Sequence, residues 1–262
     1  MILSILGSKI TSIAISNFNE RITVKSIFLK ISILFYLISP GPCMAEEDFS
    51  KELIKANPLS SNLFMLEGAG GNIIALLGQE GTLLVDDDFA QMANKLNAQL
   101  VELGGASPRF IINSHFHYDH TGGNEVFGKS ATIISALAVR DRLQQEQLLW
   151  KELHPPVPAQ ALPLITFEQS IVLHLNKEEI RAVHYPHGHT DGDTVVYFQH
   201  AKVVSMGDLY FAGMYPIFHP EHGGSLDGYV KNIGEVLKAT TVDTKFVPGH
   251  GPLRTKRDLE RY

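Results

Sequence analysis

The sequence predicts an α/β sandwich, and two observations support that prediction. Short apolar runs of strand length follow one another in pairs, and segments with helical spacing of apolar residues separate the pairs. The side chains with metal-binding chemistry come just after predicted strands, where the loops of a rigid scaffold hold functional groups. A chain of 262 residues is long enough for one large domain, and no repeat or linker divides residues 46–262.

The first 45 residues differ in character from the rest of the chain. Three basic residues precede an apolar run at 31–38, and a Pro-Gly-Pro turn then leads to Ala45. This order predicts a secretory signal peptide cleaved after Ala45. A retained membrane anchor is the alternative, but the run is shorter than the roughly 20 residues that a span needs. We therefore expect residues 1–45 to be a signal peptide and residues 46–262 to be one exported domain, periplasmic or secreted, without a stable membrane span.

The predicted mature domain is acidic and lacks cysteine. Of 22 basic and 28 acidic residues in the chain, four basic and one acidic precede residue 46, which leaves a net charge of −9. An acidic surface disfavours a nucleic-acid substrate, so we expect a small-molecule substrate. Cys43 is the only cysteine, so the mature domain has neither a disulfide nor a thiolate metal ligand. The oligomeric state stays open.

The elements follow in order along the mature domain. The predicted strands are apolar or alternating runs, many of them bounded by turn-forming residues, at 72–77, 82–85, 109–113, 131–135, 171–175, 180–184, 194–198, 202–206 and 245–247. The predicted helices carry apolar residues at helical spacing or lack helix breakers, at 89–100, 136–152 and 226–237, the last with Ser225 as its N-cap. The prolines between 155 and 163 predict an irregular surface stretch.

The strongest chemical signal is the run 115–120, which reads His-Phe-His-Tyr-Asp-His. His115 and His117 share one side of an extended segment, because side chains alternate with a period of two, so both can bind one ion. Asp119 and His120 follow at once and can turn toward a neighbouring ion. Imidazole nitrogen and carboxylate oxygen are good zinc ligands. A solvated polar turn is the alternative, but histidines at this density are typical of a metal site.

Three single residues complete the candidate ligand set. His189, Asp208 and His250 each follow a glycine, which lets the backbone approach a ligand closely. Each is weak evidence alone, since a lone histidine is more often a packed or surface residue than a ligand.

The order of these motifs resembles that of the metallo-β-lactamase superfamily over nearly all of residues 60–251. The resemblance implies an αββα sandwich with the metals at one edge. It implies one zinc ion bound by His115, His117 and His189, a second bound by Asp119, His120 and His250, and Asp208 as the bridge between them. Asp86 resembles the family's buried aspartate that orients a ligand imidazole, although an acid that starts a turn is an equal alternative.

The resemblance also implies a mechanism. Two zinc ions, two aspartates and a bridging hydroxide leave the site with a charge of about +1, which attracts a carbonyl oxygen. Zinc lowers the pKa of bound water to about 7, so we expect hydroxide to attack an ester, lactone, thioester or lactam carbonyl. Asp119 is the predicted catalytic residue, because it would orient the hydroxide. Iron or manganese is an open alternative for the metal.

Two departures from the family's cysteine-ligand β-lactamases weaken the lactam interpretation. This chain has Asp208 where those enzymes have a thiolate, and Phe211 where they have a substrate-gripping lysine. An aspartate bridge is more similar to glyoxalase II, the lactonases and the phosphodiesterase-type members. We expect the substrate pocket to be formed by two loops, at 66–72 and at 211–224, the second of which is apolar and suits a hydrophobic substrate.

Three other functions are alternatives on the same fold. An iron-dependent sulfur or oxygen redox enzyme is disfavoured by the full second ligand set, and a nuclease is disfavoured by acidity and export. A non-catalytic metal-binding protein is the third. The other histidines of the mature domain are predicted not to be ligands: His154, His174, His184, His187, His200, His219 and His222.

Overall fold

Two β-sheets organise the structure. The computed structural model describes residues 49–149 and 151–262. The predicted signal peptide lies outside the described residues, so its cleavage stays a prediction. The strands are β1 Lys55–Pro58, β2 Leu63–Glu67, β3 Ile73–Leu76, β4 Thr82–Val85, β5 Pro108–Ile112, β6 Thr132–Ala136, β7 Gln147–Leu149, β8 Glu152–His154, β9 Ile165–Phe167, β10 Ser170–Leu175, β11 Glu178–His184, β12 Thr194–Phe198, β13 Val203–Ser205, β14 Lys245–Val247 and β15 Arg254–Thr255.

The helices lie between and after these strands. They are α1 Ala93–Glu102, α2 Tyr118–Thr121, α3 Asn124–Phe127, α4 Leu137–Leu143, α5 Leu226–Ala239 and α6 Lys256–Leu259. Ser225 caps α5 as predicted, because its side chain accepts a hydrogen bond from the backbone N–H of Gly228 at 3.1 Å. Within the described ranges, no helix is both long and apolar enough to span a bilayer.

The first sheet has the strand order β1-β2-β3-β4-β5-β6-β9 and the second β10-β11-β12-β13-β14-β15. In the first sheet β4, β5, β6 and β9 run parallel to one another and β1 to β4 pair antiparallel, whereas the second sheet is antiparallel except between β13 and β14. Strands β7 and β8 form a separate hairpin. Because parallel strands begin and end at the same edges, the loops after β4, β5 and β6 gather at one edge.

Three apolar cores show the layering. Ile74 and Leu76 of β3 pack in a central core that also contains Val196 and Phe198 of β12, so it lies between the two sheets. The alternate residues Ile73 and Ala75 pack in a second core with the buried face of α1. A third core joins the outer face of the second sheet to α5 and α6. The order of layers is therefore helix, sheet, sheet, helix, which confirms the predicted α/β sandwich.

One predicted helix is wrong. The segment 136–152 is helical only over α4, and the chain then turns into the β7–β8 hairpin. Lys151 adopts φ 73°, a left-handed conformation that suits a turn and not a helix. Strands β1, β2, β9 and β15 were not predicted, since each is short or lacks a clear alternating pattern.

Candidate metal centre

Seven side chains converge where the strands of both sheets end. Four of them follow β5 of the first sheet, and three follow β11, β13 and β14 of the second sheet. In chain order they are His115, His117, Asp119, His120, His189, Asp208 and His250. The structure therefore brings all seven sequence-predicted ligand candidates together, and it arranges them as two neighbouring groups.

The first group contains three histidines and one aspartate. Nε2 of His115 and Nε2 of His189 each lie 3.0 Å from Nδ1 of His117. Oδ2 of Asp208 lies 3.4 Å from Nε2 of His189 and 3.7 Å from Nε2 of His115. One Nδ1 atom carries either one proton or one lone pair, so it cannot form two hydrogen bonds of this kind at once. The four donor atoms instead point toward a common centre.

The second group contains Asp119, His120 and His250. Nε2 of His120 lies 3.3 Å from Nε2 of His250. Oδ2 of Asp119 lies 3.2 Å from Nε2 of His250 and 3.5 Å from Nε2 of His120. His120 is fully buried, whereas Asp119 and His250 are partly exposed and form the solvent side of the group.

Asp208 belongs to both groups through its two oxygen atoms. Its Oδ2 faces the first group, and its Oδ1 lies 3.1 Å from Nε2 of His120 and 3.5 Å from Nε2 of His250 in the second group. A single carboxylate thus lies between two clusters of imidazoles.

The geometry fits metal ions better than it fits hydrogen bonding. Ligands about 2.1 Å from a tetrahedral zinc ion lie about 3.4 Å from one another. The contacts from Asp208 to His189 and His120, at 3.4 and 3.1 Å, are close to that spacing. Oδ1 of Asp119 is buried without a hydrogen-bond partner, as expected of an atom that a cation or a bound water would contact. Imidazole and carboxylate donors of this kind suit divalent metals.

The carboxylate of Asp86 contacts the imidazole of His120 on the side that faces away from the other candidate ligands. Oδ2 of Asp86 lies 2.8 Å from Nδ1 of His120, on the opposite ring nitrogen from the centre. Its carboxylate also accepts hydrogen bonds from the backbone N–H and the hydroxyl of Ser114, both at 2.7 Å. This is the arrangement by which a carboxylate fixes the orientation of a metal-binding imidazole.

The loop at 68–71 packs against the back of the second group. Asp88 holds this loop, because its carboxylate accepts hydrogen bonds from the backbone N–H of Ala69 and Gly70 at 3.0 and 2.8 Å. A Cβ atom at Gly71 would lie 2.1 Å from the ring of His120, so only glycine allows this approach. Sequence reasoning missed Asp88, although the acidic run that follows β4 was a possible signal.

In the metal-free protein, the histidines of the two groups differ in their pKa values and therefore in their charge. Burial lowers the pKa of His115, of His117 and of His189, which keeps those imidazoles neutral and able to bind a cation. Burial acts the same way on His120 and His250, but there the neighbouring aspartates outweigh it. They raise the pKa of His120 well above its usual value and that of His250 to about 9.

The pKa of the Asp208 carboxyl group is lowered, in contrast to those of His120 and His250. Burial alone would raise the pKa of its carboxyl group, but the imidazoles of His120 and His115 outweigh burial and hold that pKa well below its usual value. The Asp208 carboxylate is therefore ionised at neutral pH.

A cavity of about 230 Å³ opens over the two groups. Beside the candidate ligands, its lining residues come from the second of the two predicted pocket loops: Phe211, Met214, Ile217 and His219. The first predicted loop, 66–72, packs behind the ligands instead.

Two histidines predicted to be surface or loop residues lie beside the centre. The ring of His219 is 5.0 Å from that of His117 and 5.1 Å from that of His189. His222 is buried against Phe116. Both lie in the segment between β13 and α5, in agreement with a loop position, but their proximity to the centre was not predicted, because it depends on the chain folding back over the run at 115–120. His174, His187 and His200 are exposed, as expected of residues outside the site.

Comparison with known proteins identifies the family. A sequence profile of the metallo-beta-lactamase superfamily matches residues 58–250. The hydroxyacylglutathione hydrolase of Pelagibacter ubique (strain HTCC1062) is 27% identical over 145 residues, 54% of this chain and 51% of that protein. This chain thus spans about half the length of that hydrolase. The acyl-coenzyme A thioesterase MBLAC2 of Gallus gallus is 23% identical over 223 residues, 74% of this chain and 79% of that protein.

The fold is similar to that of a metallo-beta-lactamase from Pontibacter korlensis, with a TM-score of 0.66 and 16% sequence identity over 79% of this chain and 95% of that one. At this identity the likeness shows the fold alone. The profile match covers most of the chain and ends on His250, the last of the seven converging side chains. The chain therefore belongs to the metallo-β-lactamase superfamily.

Proposed function

We propose that the protein is a dinuclear zinc hydrolase that cleaves thioesters of small acyl groups. The observation that supports it most strongly is the position of Asp208, whose two oxygens face different groups of ligands. A carboxylate in this position can bridge two ions that lie about 3.5–4 Å apart, which is the usual spacing of two-metal hydrolytic sites.

The residues available fit two zinc ions. His115, His117 and His189 would bind the first, Asp119, His120 and His250 would bind the second, and Asp208 would bridge them. When bound, the ions would supply hydroxide at neutral pH and polarise the substrate carbonyl.

Asp119 is the catalytic residue of this proposal. Its side chain lines the cavity, and Oδ2 faces the second group while Oδ1 has no hydrogen-bond partner. Oδ1 can therefore accept a hydrogen bond from the attacking hydroxide and fix the direction of attack. Oδ2, which contacts His250, keeps the carboxylate in place during that step.

The cavity favours a substrate without a carboxylate beside the reacting carbonyl. Among the described residues that line it, none is lysine or arginine. Phe211 occupies the position where the resemblance to cysteine-ligand β-lactamases implies a lysine. Position 211 therefore offers no cation to bind the carboxylate of a lactam. The names of the two relatives describe hydrolysis of an acyl-glutathione and of an acyl-coenzyme A, which are both thioesters.

The test combines metal analysis with a substrate screen. We expect purified, zinc-loaded protein to contain about two zinc ions per chain and to hydrolyse acyl thioesters faster than lactams, lactones or aryl phosphodiesters. Asp119→Ala should abolish turnover, and His174→Ala, on the exposed face of β10, should retain it. A single iron per chain, or hydrolysis of lactams alone, would contradict the proposal.

We also propose that the protein is exported, because residues 1–45 have the order of a secretory signal. N-terminal sequencing of the mature protein should begin at Glu46. A chain that retains its N-terminus in the cell would contradict export without affecting the proposed chemistry.

A further inference from the structure

The loop 211–219 is fastened at both ends to the candidate metal ligands. Phe211 forms a parallel bridge with His250, and its ring stacks on that imidazole at 5.5 Å and 3°. Ala212 donates its backbone N–H to the carbonyl oxygen of His250 at 2.8 Å. At the other end, Nδ1 of His189 lies 2.8 Å from the carbonyl oxygen of Ile217.

Between these fastenings the loop presents apolar side chains to the cavity. Met214 and Ile217 line it and are nevertheless 48% and 45% exposed. Exposed apolar side chains around a concave site are typical of a ligand-binding surface. They lie beside the atoms that would carry out the reaction, so an apolar group attached to the reacting carbonyl would cover them.

The other side of His219 is chemically different. His219 also lines a wider groove of about 650 Å³, whose other lining residues include Arg142, Gln145, Glu146 and Lys151. His219 thus lines both the cavity that contains Met214 and Ile217 and a polar groove of mixed charge. A charged thiol carrier would lose its hydration without gaining partners on the apolar side, whereas the groove offers them.

We propose that the loop 211–217 forms an acyl pocket that selects apolar acyl groups, and that Met214 and Ile217 determine this specificity. The inference rests on the proposed thioester hydrolysis and names its substrate class. The acyl group lies against Met214 and Ile217, and the thiol carrier leaves along the groove beyond His219.

The test is a series of thioesters that share one thiol and differ only in the acyl group. From acetyl to butyryl, kcat/KM should rise by about fourfold for each methylene buried. Isobutyryl and lactoyl have the same shape, but lactoyl carries a hydroxyl where isobutyryl has a methyl group. Because the loop offers that hydroxyl no partner, the isobutyryl thioester should be favoured by about tenfold.

Two serine variants assign the selectivity to the loop. Met214→Ser and Ile217→Ser should each reduce the isobutyryl-to-lactoyl ratio to within about threefold. Tyr215→Ser is the matched control, because Tyr215 lies between them, is 92% exposed and is not among the residues that line the cavity. It should keep the wild-type ratio.

The outcomes separate the two proposals. If no thioester is hydrolysed, the proposed function fails and this inference fails with it. If thioesters are hydrolysed but kcat/KM is flat along the series, or lactoyl is favoured, only the acyl pocket is overturned. An equal change in all three loop variants would also overturn it. The wild-type series decides the matter even if a loop variant does not fold.

Discussion

The carboxylate of Asp86 lies 2.8 Å from Nδ1 of His120, on the side of the imidazole that faces away from the metal centre. Asp86→Asn keeps the shape of the side chain but removes its charge, so His120 loses the partner that fixes its ring. We expect affinity for the second metal ion to fall by about 10- to 100-fold. Competition with a chromophoric chelator measures this, and Asp141→Asn on the exposed face of α4 is the control.

Glycine at position 249 allows the carboxylate of Asp208 to occupy its place between the two groups. A Cβ atom there would lie 2.0 Å from Oδ1 of Asp208. Gly249→Ala should therefore displace Asp208 and reduce the bound metal to one ion per chain or less. The matched control is Gly234→Ala in α5, where no atom lies within 4 Å of the new methyl group.

In the control, alanine replaces glycine inside a helix, so the free energy of unfolding should rise by about 0.5–1 kcal/mol with metal content unchanged. Urea denaturation and metal analysis of both variants check the pair. Normal metal content in Gly249→Ala would show that Asp208 tolerates the shift.

Asp208 is expected to be necessary for the second ion to bind beside the first. Asp208→Asn offers one carbonyl oxygen where the wild type offers two carboxylate oxygens, so it can serve only one group. We expect one zinc per chain and a loss of hydrolysis of at least about 100-fold. Two zinc ions per chain in this variant, measured by elemental analysis after dialysis, would argue against the bridge.

Between about pH 7 and 9 the metal-free protein should become less stable as the pH rises. The pKa of His250 is raised to about 9 by Asp119 and Asp208 despite its burial, and an unfolded histidine has a pKa of about 6.5. The stabilisation from its protonated form is therefore complete below pH 6.5 and lost as the pH rises through 9.

The loss should amount to at most about 3 kcal/mol, and chemical denaturation of chelator-treated protein at about pH 7, 8 and 9 measures it. His250→Ala should reduce this dependence. Saturating zinc should reverse the trend, because a metal ligand must be deprotonated to bind. A metal-free protein that gains stability between pH 7 and 9 would contradict the assignment.

The local patterns in the sequence predicted the central strands well. Strands such as β12 and β13 are continuous apolar runs with turn residues between them, and both faces of each are covered by other layers. Among the candidate ligands, the run at 115–120 was a strong local signal, whereas His189, Asp208 and His250 were weak evidence alone and joined the set through the resemblance in motif order.

Features that depend on distant contacts were not predictable. The segment after α4 is rich in Gln, Glu and Leu, which favour helix, but it pairs as the β7–β8 hairpin. Similarly, His219 reaches the centre because its backbone N–H donates to the carbonyl oxygen of His189 at 2.9 Å. That contact joins loops 30 residues apart, and no spacing along the chain encodes it.

The contacts of the loop 211–219 with His250 and His189 constrain the two ends of this segment more strongly than its middle. The ends contact the backbone or the imidazole ring of the candidate ligands His250 and His189. A substitution at either end would therefore also disturb the metal centre. In the middle of the loop, the side chains of Met214 and Tyr215 are 48% and 92% exposed. Descendants of a duplicated gene can therefore exchange residues there and acquire new substrates, while the reaction they catalyse stays the same.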